Sequence, residues 1–114
     1  MFAIANVNNT YSKIIGAVVA LVGILGFFMT SPLFGLFGVN TYSNIVHLLG
    51  GALVFWKAGK STNMILGVIA LLVGIMGFVP YLSAVTAWLG FNTAFHWLHI
   101  AIGVVSLAVY KFAD

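Results

Sequence analysis

Few side chains in this chain could do chemistry, and three of them are histidines: His47, His96 and His99. Asp114 is the one acid and cysteine is absent. No nucleophile can be assembled with a base and an orienting carboxylate, thiol and disulfide chemistry is excluded, and the chain is not expected to be an enzyme. A proton or ion path is equally poorly supplied. Imidazole has two other uses in an apolar protein. It can serve as an axial ligand of a haem or of a chlorophyll-type pigment, with a glycine one turn away admitting the macrocycle. It can also be paired internally with a neighbouring carbonyl or hydroxyl, as polar rings within lipid usually are. His47, His99 and His96 are thus the candidate cofactor residues, and internal pairing is the favoured use of them.

Two of these histidines stand in a phrase that occurs twice. Gly38, Asn40, Thr41, His47 and Gly51 return with the same internal spacing as Gly90, Asn92, Thr93, His99 and Gly103, 52 positions on. Upstream, Gly16, Gly23, Gly26 and Phe27 return 51 positions on as Gly67, Gly74, Gly77 and Phe78. A unit of about fifty residues is therefore used twice, over about 13–60 and about 61–114 of a single domain spanning 1–114. The Asn or Thr of each phrase is suited to capping the helix that follows, by accepting from the free N–H groups of its first turn. At about 1.5 Å per residue each histidine lies about 9 Å further in. Gly51 and Gly103 would then open a gap beside the ring, for a helix backbone or for a flat ligand. Asn44 shares that face in the first copy and His96 takes the matching place in the second. Each imidazole is expected to bond the connector of its own repeat, at equivalent positions about a pseudo-twofold axis.

The elements that must position these residues follow from composition. Hydrophobic residues make up 63% of the chain and charged ones 4%, against about 25% charged in ordinary soluble domains, which indicates a membrane protein. Four apolar stretches, Ile14–Met29, Asn44–Trp56, Met64–Val79 and Ala94–Tyr110, approach with their flanks the roughly 20 residues of a spanning helix. Open sheets cannot span lipid. The expected fold class is an all-α membrane protein with four transmembrane helices, built from two tandem, parallel-oriented helical hairpin repeats related by an axis along the membrane normal. The small residues Gly16, Ala20, Gly23 and Gly26, and Gly67, Ala70, Gly74 and Gly77, form stripes for close packing; helices one and three are expected to meet there, or each to meet a partner.

Lys13, Lys57, Lys60 and Lys111 fall on one side of this arrangement, and both Gly-x-Asn-Thr connectors are uncharged. The positive-inside rule then places both termini in the cytoplasm, in a multi-pass protein of the bacterial inner membrane, with the repeated phrases on the outer side. The segment Met1–Ser12 is too polar for a cleaved signal peptide, so the chain is expected to keep its own start. The net charge of +3 comes from scattered lysines, which suit anionic lipid headgroups and leave no patch for nucleic acid. The connectors Ser31–Val39 and Pro80–Phe91 are apolar and carry a proline near their start, as though a short second helix began there. Leu82, Val85 and Leu89 would share one of its faces, with Trp88 at headgroup depth.

The run Leu36-Phe37-Gly38-Val39-Asn40 leading to Asn44-Ile45-Val46-His47 and Gly51, with Leu89-Gly90-Phe91-Asn92-Thr93 leading to His99 and Gly103, resembles an uncharacterised domain-of-unknown-function family of small prokaryotic four-helix membrane proteins. The resemblance covers nearly the whole chain and implies no activity. This sequence departs from it in carrying His96 where Asn or Asp is commoner. With no hydrated midplane, catalytic group or soluble head, the expected role is that of an accessory or structural subunit of a larger membrane complex. A bioenergetic complex, either a photosynthetic reaction-centre and antenna assembly or a respiratory one, is the expected partner, beside membrane lipids. The alternative is a small haem- or pigment-binding membrane protein using His47 and His99.

Overall fold

The computed structural model describes residues 6–114. The expected uncleaved start falls partly on residues 1–5, which lie outside the described residues. The described residues form five helices: α1 (Val7–Phe28), α2 (Thr41–Trp56), α3 (Lys60–Met76), α4 (Ser83–Trp88) and α5 (Thr93–Phe112). Among the described residues the β contribution is one isolated bridge, Leu33 to Phe37, so the all-α class holds. Two helices, α1 and α5, are long and apolar enough to cross a membrane. The other two long ones stop at 16 and 17 residues.

The helix α1 begins well before its apolar stretch because the polar residues there are engaged rather than solvated. Asn8 and Ser12 are buried. The Asn8 side chain donates to the carbonyls of Val109 and Ala113, both at 3.2 Å, at the C-terminal end of α5, where carbonyls run out of helical partners. Ser12 Oγ donates to Asn63 Oδ1 at 2.5 Å, and the Asn63 amide donates to the carbonyl and Oδ1 of Asn8, each at 2.9 Å. Tyr11 Oη and Ser106 Oγ lie 2.6 Å apart. These bonds tie α1 to α3 and α5 at one end of the molecule.

The chain forms two antiparallel hairpins, α1 against α2 and α3 against α5, which touch each other only lightly along their lengths. Glycine sets each hairpin's spacing. A Cβ on Gly16 would come 2.6 Å from Phe55 N and 2.7 Å from Gly51 O, while one on Gly51 would come 2.6 Å from Gly16 O. The second copy repeats this with Gly67 against Leu107 and Gly103 against Leu71. Such backbone proximity maximises van der Waals contact between the paired helices. The stripes therefore seal each hairpin internally. Helices one and three do not meet along them, and they bond instead through Ser12 and Asn63 at the end.

The connectors within the two hairpins differ from each other. The second contains α4, with Thr86 buried at 1% exposure. In the first, Ser31–Phe37 turns without a helix, since Phe34 and Gly35 take positive φ (55° and 71°) and helix propagation requires negative φ. The shared face expected for Leu82, Val85 and Leu89 is also absent: Leu82 and Val85 are exposed, while Leu89 packs inward. Leu33, Val39, Phe91 and Phe95 form the buried apolar cluster, so the best-packed apolar part of the protein lies at the connectors, and the first connector packs against the start of α5 in the other repeat.

Candidate functional site

Asn40 and Asn92 bring the two repeated phrases together. Asn40 Oδ1 accepts from Ser43 N at 3.0 Å and the Ser43 hydroxyl faces back to Asn40 N, a capping box on α2. Asn92 Oδ1 caps α5 through Phe95 N at 3.1 Å, without the box because its third helical position is phenylalanine. Thr41 and Thr93 are the first helical residues and do not cap. The amide nitrogens of the same two asparagines reach across to the other repeat. Asn40 Nδ2 donates to Trp88 O at 2.7 Å and Asn92 Nδ2 donates to Leu36 O at 2.9 Å. Those acceptors are themselves 52 positions apart, so the bond is reciprocal.

The glycines complete this clasp. Gly38 N donates to Asn92 Oδ1 at 3.0 Å, and a Cβ on Gly38 would strike the Gly90 carbonyl and lie 3.1 Å from Asn92 N. Gly90 adopts φ 77°, a conformation that favours glycine, and faces Val39 and Asn40. The connector ends of the hairpins therefore interlock through the repeated residues.

Directly beneath, His47 and His99 face each other with ring centroids 5.8 Å apart. Phe91 and Phe95 contact both rings: Phe91 stacks on His47 at 5.6 Å and lies 4.8 Å from His99, and Phe95 lies 5.4 and 4.6 Å away. His99 Nδ1 sits 2.8 Å from the carbonyl of Phe95 in its own helix. A carbonyl only accepts, so this nitrogen carries the proton. His47 Nδ1 is buried and has no partner among the described residues. The expectation that each imidazole bonds its own connector is thus not met: one bonds its own helix, and the other leaves a nitrogen unbonded. Equivalence of position survives, but equivalence of bonding does not.

His96 lies apart from this pair. It is buried inside the second hairpin, where a Cβ on Gly77 would collide with its ring and Phe78 meets it edge-on at 5.5 Å. Asn44 occupies the same niche of the first hairpin against Gly26. The gap expected beside each histidine at Gly51 and Gly103 is filled by the backbones of α1 and α3, so it admits no flat ligand.

A feature not foreseen is the space between the hairpins. An apolar cleft of about 770 Å³ runs between α1, α2, α3 and α5, with His47, His99, Phe91 and Phe95 toward one end and Lys57 and Thr62 at the other. Nothing in the spacing of Val18, Val46, Leu53, Ile65 and Ile69 distinguishes a cleft wall from a lipid-facing surface. Among the described residues, no group of three metal-binding side chains is present.

The family model described as Domain of unknown function (DUF4383) matches residues 9–112. The chain belongs to this family. No curated protein and no solved structure matches it. Within DUF4383, the duplicated glycine-asparagine-histidine phrase of this chain therefore acquires a physical role: each copy caps a helix and grips the other copy.

Proposed function

We propose that this DUF4383 protein crosses the bacterial inner membrane four times, with both termini and the turn around Lys57–Asn63 cytoplasmic, and acts as an accessory or structural subunit of a larger, bioenergetic membrane complex. Support for four crossings comes from the pairing: α2 and α3 lie against the two helices long enough to span, and a 16-residue helix covers about 24 Å of a hydrocarbon core of about 30 Å. The apolar residues of the first connector lie where the remainder would be made up. In this orientation the two hairpins are related about the membrane normal.

One observation carries the subunit role. Polar side chains such as Asn8, Ser12, Asn63 and Ser106 are drawn inward and hydrogen-bonded, while large apolar side chains cover the exterior, with Phe28 84%, Trp56 76% and Phe112 82% exposed. A body of this kind offers contact surface rather than chemistry. Gentle solubilisation of native membranes followed by native electrophoresis should find it migrating in stoichiometric association with a larger complex; migration as a free small protein under the mildest detergents would defeat this reading.

The second reading, a haem or pigment site at His47 and His99, is favoured by the approach of the two rings at the wall of a cleft. Phe91 and Phe95 occupy the flanks of both rings, so a macrocycle would have to displace them. An absorption band of the purified protein that disappears in His47→Ala and His99→Ala variants would establish it.

A further inference from the structure

The cleft between the hairpins has a polar end with a definite hydrogen-bonding character. His47 is 9% exposed, its Nδ1 is buried and unpartnered, and the residue lines the cleft. An orphaned buried N–H is rarer and costlier than an orphaned lone pair, so in the neutral ring the proton belongs on Nε2. That nitrogen is neither sealed off nor bonded among the described residues. His99 is the converse. With its Nδ1 proton committed to Phe95 O, its Nε2 carries a lone pair, and this atom too is neither sealed off nor bonded among the described residues. Two rings with centroids 5.8 Å apart, both at the wall of the same cleft, thus offer one donor and one acceptor there.

A hydroxyl group, which donates one hydrogen bond and accepts others, complements this pair; a carbonyl or an ether would use the His47 donor and leave the His99 lone pair unmet. Beyond the pair the cleft is lined by aliphatic residues, Val22, Val46, Leu66 and Ile69 among them, as far as Lys57. His47 and Lys57 are ten positions apart along α2, about 15 Å on a helix. Its volume of about 770 Å³ falls within the roughly 300–1,000 Å³ of small-molecule sites. The outer connectors hold no lysine or arginine, so nothing at the histidine end recognises a phosphate head.

We infer that the cleft binds a long-chain, hydroxyl-headed lipid, its hydroxyl held between His47 Nε2 and His99 Nε2 and its chain lying between the two hairpins toward Lys57. This inference rests on the protein's being embedded in the membrane, not on its being a subunit of a complex. Cysteine-accessibility mapping of the connectors reads the embedding independently, so failure of that premise is separable from failure of the site.

The test uses the full chain in phosphatidylcholine nanodiscs, with radiolabelled geranylgeraniol, its methyl ether and palmitate as probes and empty nanodiscs as background. Wild type should show saturable binding of one geranylgeraniol per chain and bind the ether about tenfold more weakly, as expected for one lost hydrogen bond. The His99→Phe variant should bind alcohol and ether equally, and Ile69→Trp, which fills the cleft wall, should abolish both. The ether comparison needs wild type alone and stands even where a variant fails to fold. Equal affinity of wild type for alcohol and ether, absence of saturable binding, or tighter binding of palmitate that depends on Lys57 would each overturn the assignment; an ordered water held between the histidines would produce the second of these results.

Discussion

Asn92 joins three structural roles in one side chain, and two substitutions separate them. Its Oδ1 accepts from Phe95 N, capping α5, and from Gly38 N of the other repeat, while its Nδ2 donates to Leu36 O. Asn92→Ala removes all three bonds. Loss of the cap costs about 1 kcal/mol, and leaving the N–H of buried Gly38 without a partner costs about 1–3 kcal/mol. The bond to Leu36 is exposed and adds little, so the total is about 2–4 kcal/mol. Asn92→Asp keeps both accepting roles. It loses the exposed donor bond, and it gains about 0.3–1 kcal/mol from a carboxylate at a helix N-terminus. The aspartate variant should therefore stay within about 1 kcal/mol of wild type. Reversible denaturant unfolding in detergent micelles, followed by far-UV circular dichroism, measures both. Equal destabilisation by Ala and Asp would show that the shared acceptor is not what holds the clasp, and an Ala variant within about 0.5 kcal/mol of wild type would refute the clasp itself.

Other perturbations separate the remaining contacts. Gly23→Leu and Gly74→Leu should each destabilise the protein by about 1–3 kcal/mol or more, because the new Cβ would lie 2.6 Å from Asn44 O or 2.7 Å from His96 O; unchanged unfolding midpoints would mean that these faces look at lipid. Asn63→Leu should cost about 1–3 kcal/mol by leaving the buried Asn8 Oδ1 without its donor, while Ser12 keeps its bonds to Gly59, whereas Thr41→Ala should fall within about 0.5 kcal/mol of wild type since Thr41 does not cap; a reversal of this order in the same unfolding assay would contradict the bonding described. His99→Phe should destabilise the ligand-free protein more than His47→Phe, because only His99 forfeits a hydrogen bond while His47 sheds an unpartnered nitrogen; equal losses would restore the symmetric bonding expected from the repeat. Single cysteines at Ser31 and Tyr81 should label from the outside of intact cells and one at Lys60 only after permeabilisation; labelling of all three from one side would rule out the proposed orientation.

Duplication and composition were legible in the sequence because both are one-dimensional. The 51- and 52-residue offsets located two equivalent hairpins, apolar content of 63% determined the all-helical class through the need to satisfy backbone groups internally, and the residue types at 40 and 92 sufficed for the caps, which are local structures. Membership of DUF4383 follows from the same string. What only the tertiary structure decided concerns contacts between segments with no local signature. The same glycine stripe can serve packing within a hairpin or between hairpins, and the choice depends on which helix arrives against it; Gly51 lies against Gly16 and Ala20 rather than opening toward a ligand. Asn8, Ser12 and Asn63, polar enough to read as solvated flanks, are buried because each finds the others across the chain. The reciprocal grip of Asn40 and Asn92 required the two copies to be brought face to face. The cleft is the extreme case, since aliphatic residues that face it and those that face lipid are chemically alike, and only the splay of two hairpins pinned at both ends creates a space between them.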